Sequence, residues 1–346
     1  LGSVTLASGA QWNASAGITV DGSVGGTFTV DGTLALQGDL TVADGANIVI
    51  NGNLNLGGIN PQTVVTSGAT STITNNGEIF KAGNNTATIP AGVTLDMNPG
   101  SSMYANVGTL EVFADGTWDG STPIELRADG TTTMTIGGNQ AMDGQIDGIF
   151  ALTFGDVTFT GIKTTSTGLT LDFPTDMLSV SVATINGPGA LTNATDVRVS
   201  GGTVLNADIT NNGTLTFEGA AVINGTITSP ATTSVVVGGN VSYGLTGTGG
   251  IDYAGGTITV NHVSIAGVTI GVDLTGDSSS SLDIGPGTVN LSTDFSNDGT
   301  VNLASGALFG AGLGLIASQI LNLILSSVEA ADTAETAGLN GTFEQL

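Results

Sequence analysis

A chain of 346 residues that is 40% apolar, with 55 glycines and no cysteine, has material for a large core, and it excludes a disulfide framework, a thiolate nucleophile and a zinc–thiolate site. Its 29 acidic residues face four basic ones, Lys81, Arg127, Lys163 and Arg198, for a formal charge of −25. Cations scattered singly cannot displace the counterions of a nucleic acid, so DNA and RNA are excluded as partners and anionic membrane surfaces are disfavoured.

The chain opens directly in strand-like sequence, with neither a basic n-region nor an apolar signal segment. That fits a mature export product as well as a protein that is never exported. The first elements repeat: ITVDG (Ile18 to Gly22), FTVDG (Phe28 to Gly32), LTVADG (Leu40 to Gly45) and IVING (Ile48 to Gly52). Each is a short strand-forming run that ends in an Asx-Gly turn. TNNGEIF (Thr74 to Phe80) carries the motif on. The stretch 98–154 is less regular, with larger residues in MYANVGTLEVFADGTWDG, and Phe173-Pro174 and Gly187-Pro188-Gly189 read as interruptions. TNNGTLTF (Thr210 to Phe217), VINGTIT (Val222 to Thr228) and SNDGTVNL (Ser296 to Leu303) resume it.

Repeats of about 8 to 12 residues are half of a solenoid coil. Very short tandem strands and only 5% aromatics favour a coil interior of Val, Ile, Leu, Ala and Thr over a sandwich core. The expected fold is therefore all-β, an elongated β-solenoid over 1–304. About 20 to 25 residues per coil would give on the order of 12 to 15 coils and a rod roughly 60 to 70 Å long.

The segment 305–346 departs from this pattern. Gly306 to Val328 is strongly apolar, with Leu315, Gln319, Asn322, Leu323 and Ser326 at helical spacings, and an acidic tail follows. An apolar helix of this kind is buried somewhere. Ser318, Gln319 and Asn322 near its middle and the lack of flanking Lys or Arg argue against membrane insertion. It reads as a cap on the last coil or as an element that joins copies head to tail. Its assembly residues would be Leu308, Phe309, Leu313, Leu315, Ile316, Ile320, Leu321, Leu323, Ile324 and Leu325.

Chemistry is sparse, and no catalytic residue is expected. His262 is the only histidine, which rules out a His-rich metal site, and no nucleophile-elbow sequence accompanies it. The carboxylate pairs Asp115 with Asp119 and Asp143 with Asp147 could in principle hydrolyse a glycoside, but Asp-Gly is turn chemistry first. Stacked turns would align Asp21, Asp31, Asp39 and Asp44 into a weak calcium edge, since hard cations take oxygen ligands; no other cofactor is expected. Asn-x-Ser/Thr sequons stand at Asn13, Asn84, Asn193, Asn212, Asn224, Asn240, Asn290 and Asn340 and permit glycosylation without arguing for it.

The tandem NNGT-type repeats resemble, in style, the passenger regions of bacterial autotransporters and filamentous-haemagglutinin-like adhesins. The resemblance implies a right-handed parallel β-helix, exported and elongated, at the cell surface. The expectation for function is a secreted, non-enzymatic structural protein that polymerises with itself into an extracellular fibre or surface layer. The alternatives are a β-helix that binds or cleaves surface glycans, as phage tailspikes and polysaccharide lyases do, and a monomeric surface adhesin.

Overall fold

The computed structural model describes residues 3–23, 25–58, 61–68, 70–149, 156–174, 178–239, 241–262 and 267–311. Among them are 37 strands and no helix, wound as a parallel β-solenoid of about 13 turns. The chain divides into two compact units, Leu1–Arg198 and Val199–Leu346.

In the first unit a coil is built from three short strands. Thr27–Val30, Thr33–Leu36 and Leu40–Ala43 make one coil, and Asn47–Ile50, Asn53–Leu56 and Gln62–Ser67 lie on it in parallel register. Phe28 sits over Ile48, Leu34 over Leu54 and Leu40 over Val64. Alternation decides which residues point inward: in TFTV and TLAL the second and fourth positions are buried, as the two-residue period of a strand requires. Burying each such side chain contributes roughly 1.5–3 kcal/mol. Coil length is uneven. It is 20 residues from Phe28 to Ile48 and 25 from Ile48 to Ile73.

The Asx-Gly turns stack as well. A Cβ on Gly52 would lie 2.1 Å from the Gly32 carbonyl oxygen, and one on Gly77 would lie 2.2 Å from that of Gly52. Glycine is needed there because one turn rests directly on the next. Beside it runs an amide ladder: Asn51 Nδ2 donates to Asp31 Oδ1 at 2.7 Å, Asn76 Nδ2 donates to Asn51 Oδ1 at 2.7 Å, and Asn98 donates to Asn76. The first Asn of the TNNG turn does the opposite. Asn75 is fully buried, donates to the Ser102 carbonyl at 3.1 Å and accepts from the Gly77 amide at 3.2 Å.

The irregular stretch keeps the coil over its described residues, 98–149. Its strands are longer, Gly116–Ala128 and Asn139–Gly148, and pass a corner with a register shift between Gly120 and Ile124. Met103 and Trp118 fill the interior there, at 0% and 1% exposure, while Tyr104 and Phe113 stand on the outside.

In the second unit Leu215, Val235, Ile258, Leu282 and Val301 form one inward column. Coil pairing runs past residue 304: Ala307–Ala311 lies parallel on Gly287–Leu291, with Leu308 opposite Thr288 and Phe309 opposite Val289. Leu308 and Phe309, expected in a helical segment, thus lie in a strand, held by this parallel pairing. Leu313, Leu315, Ile316, Ile320, Leu321, Leu323, Ile324 and Leu325 lie outside the described residues.

Candidate functional site

Two surfaces of the first unit stand out. One is the first described coil. Its strands Val4–Leu6, Gln11–Ala14 and Ile18–Asp21 place Val4 over Phe28, Trp12 over Leu34 and Ile18 over Leu40. These are inward positions, yet Val4 is 59% and Trp12 43% exposed. Val4, Trp12, Ile18, Val20 and Phe28 line a cavity of about 410 Å³, and the Trp12 and Phe28 rings meet edge to face at 6.2 Å.

The other is an outer sheet face. Coil stacking aligns Glu78, Ser102, Glu125, Asp147 and Asp172 in one column. Phe80, Tyr104 and Arg127 form the next column, and Gln145, Thr170 and Thr192 stand on its other side. The Tyr104 hydroxyl donates to Glu125 Oε2 at 2.8 Å, and the Arg127 guanidinium lies 5.8 Å from the Tyr104 ring centre. Asp129 takes two hydrogen bonds from that guanidinium, both 2.7 Å. Gln145 Nε2 donates to Asp147 Oδ1 at 2.7 Å. Burial raises the Asp147 carboxyl above its ordinary range, with Asp172 and Glu125 adding to the effect. Burial likewise raises Glu78, partly offset by Arg127. Along this face Ser121, Gln145, Thr167, Thr170 and Thr192 border a polar groove of about 560 Å³.

The carboxylates read from the sequence take different parts. Asp119 and Asp143 are neighbours across one coil step, but both tie turns. Asp119 accepts the Ser121 amide at 2.9 Å. Asp143 accepts from the Thr165 hydroxyl at 2.8 Å, the Ser166 hydroxyl at 2.6 Å, and the Ser166 and Thr167 amides at 2.8 and 2.9 Å. Burial opposes its ionisation, yet these bonds hold the carboxyl well below the usual range. Asp115 accepts the Asn139 amide at 2.7 Å. Only Asp147 joins the outer column.

The four aspartates expected to align stand at more than one corner of the coil, with Asp21 paired to Ala43, the residue before Asp44. Asp31 stacks with Asn51, whereas Asp21 accepts the Ser23 amide and Asp39 the Thr63 amide. Asp44 lies against Gly68. Residues half a coil apart fall on different faces. Among the described residues no three Asp, Glu or His side chains gather to hold a metal. Of the sequons, Asn193 is 1% exposed and is no acceptor for a glycan, since its side chain points into the coil. Asn13, Asn84, Asn212, Asn224 and Asn290 are exposed, and Asn240 and Asn340 lie outside the described residues. The His262 backbone closes the strand Thr257–His262. No helix among the described residues is long and apolar enough to cross a membrane.

Sequence reading missed Glu78, Tyr104, Glu125, Arg127, Gln145 and Asp172. Their signal is recurrence at one coil length, as in Glu125, Asp147 and Asp172. It also missed Lys81 and Lys163, each 1% exposed. Lys81 Nζ donates to the Ala82 and Gly83 carbonyls at 3.1 and 2.6 Å. Lys163 Nζ donates to the Thr160 carbonyl and, at 3.3 Å, to that of Gly138. Burial pushes the Lys163 amine down to about 7, with Asp115 opposing.

Compared with known proteins, the chain matches no family model, no curated protein and no solved structure.

Proposed function

We propose that the chain is a non-enzymatic structural protein of the cell surface, exported and joined to copies of itself, coil on coil, in an extracellular fibre or layer. The observation that carries this reading is the parallel ladder itself, in which each coil offers the next the same backbone edge and the same apolar column, as Phe28, Ile48 and Ile73 do. The inward positions Val4 and Trp12 are exposed beside the apolar cavity they line. A coil laid on that edge continues the same parallel ladder and buries the same apolar column, so a heterologous contact repeats without closing. In the last described coil Val301 and Leu303 are only half-buried at their inward positions. The apolar segment that follows, Gly306 to Val328, contributes to the same joint in this reading.

Sedimentation velocity and electron microscopy of the full chain test it. Assemblies are expected for the native sequence, and Trp12→Glu with Val20→Asp should shift the population to monomers while the coil stays folded. A native chain that remains monomeric across the accessible concentration range overturns the proposal.

A further inference from the structure

We propose that the polar groove beside the Glu125–Asp147–Asp172 column is a binding site for an uncharged, linear glycan that lies across successive coils. Side chains from four consecutive coils border it: Ser121, then Gln145, then Thr167 and Thr170, then Thr192. Ser121 and Thr167 are exposed, and Gln145, Thr170 and Thr192 are half-buried. Three coil steps of about 4.8 Å make the groove about 14 Å long, which suits a chain of a few sugar units better than a compact metabolite.

The chemistry of the walls selects the class. Hydroxyls both donate and accept, and the Gln145 amide adds a further acceptor and donors. Carboxylates of Glu125 and Asp147 at the margin accept from sugar hydroxyls, as Glu125 already does from the Tyr104 hydroxyl at 2.8 Å. The same carboxylates, on a chain of formal charge −25, repel uronate or sulfated polymers. Tyr104 and Arg127, one column beyond, bound the far side of the carboxylates, the guanidinium lying over the Tyr104 ring. At Gly144 the coils touch closely: a Cβ there would lie 2.2 Å from the Gly120 carbonyl carbon. The backbone therefore holds the groove walls in fixed register before any ligand arrives.

Isothermal titration calorimetry on the full chain tests this, with cello-, xylo-, manno- and malto-hexaose as neutral probes and an oligogalacturonate as the anionic comparison. At least one neutral chain should bind, and Gln145→Ala and Thr170→Val should each weaken it about tenfold or more at unchanged Tm. Ser121→Trp fills the groove from an exposed turn and should abolish binding should either of those variants fold poorly. The proposal is overturned where no neutral hexaose titrates, where the groove variants bind like the native chain, or where the anionic chain binds as well. The readout is independent of self-assembly.

Discussion

Two of the four basic side chains, Lys81 and Lys163, point into the coil and donate to backbone carbonyls near the corners. The Lys163 amine titrates near 7 when folded against 10.5 in its ordinary state. Between those values the unfolded chain holds a proton at this amine that the folded chain does not, so stability rises with pH across the window. The slope approaches about 1.4 kcal/mol per pH unit from this one group. Lys81 shifts in the same direction. Urea unfolding at a series of pH values should show the rise, and Lys163→Met should remove the larger share of it; a flat profile in the native chain refutes the assignment. Asp143 behaves oppositely. Its folded carboxyl lies below the ordinary value of 3.8, so its contribution is present above that pH and is lost as the pH falls further. Asp143→Asn should destabilise the native state by about 1–3 kcal/mol at neutral pH, measured by the same unfolding curves.

At the scale of elements, the turn glycines are the most exacting positions. Gly52→Ala forces its new methyl against the Gly32 carbonyl, 2.1 Å away, and should cost about 1–3 kcal/mol. Hydrogen exchange should show lost protection centred on the coils that carry Gly32 and Gly77, since each coil is supported by its neighbours; protection lost evenly over the chain would contradict that local coupling. The strand-and-turn alphabet was legible in the sequence, because alternation in FTVDG and IVING and the Asx-Gly pairs are local features. The outer face was not. Glu78, Glu125, Asp147 and Asp172 meet only through the register of unequal coils, such as the 20- and 25-residue ones at Phe28, Ile48 and Ile73, and a fixed-period reading slides off them. Asp21, Asp31 and Asp39 show the converse: near in sequence, they stand at different corners of the coil, whereas Asp44, 23 residues on, comes to the corner of Asp21. The stretch around Trp118 reads as less regular because its strands, Gly116–Ala128 and Asn139–Gly148, run longer than the four-residue strands before them.

At the scale of the whole molecule, charge governs how copies approach. With 29 acidic and four basic residues, neighbours repel at low salt. The Debye length falls from about 30 Å at 0.01 M to about 3 Å at 1 M. Under the proposed assembly, association measured by sedimentation should strengthen across that range, since apolar burial persists while repulsion is screened. Weakening with salt would mean that ion pairs, and not the Trp12 cavity, hold the joint.

The corner amides carry a consequence for the protein's chemical lifetime. Asn51 and Asn76 each precede a glycine, the pairing most prone to lose its side-chain amide by attack of the following backbone nitrogen. In the folded coil the Gly52 nitrogen is already engaged, donating to the Val30 carbonyl at 2.8 Å, so the reaction is slowed while the turn stays shut. Were Asn51 to become aspartate, its side chain could no longer donate to Asp31, and two like charges would face each other one strand apart. Ageing of the molecule would then begin at a corner that has once opened, and each altered corner would make the next opening easier.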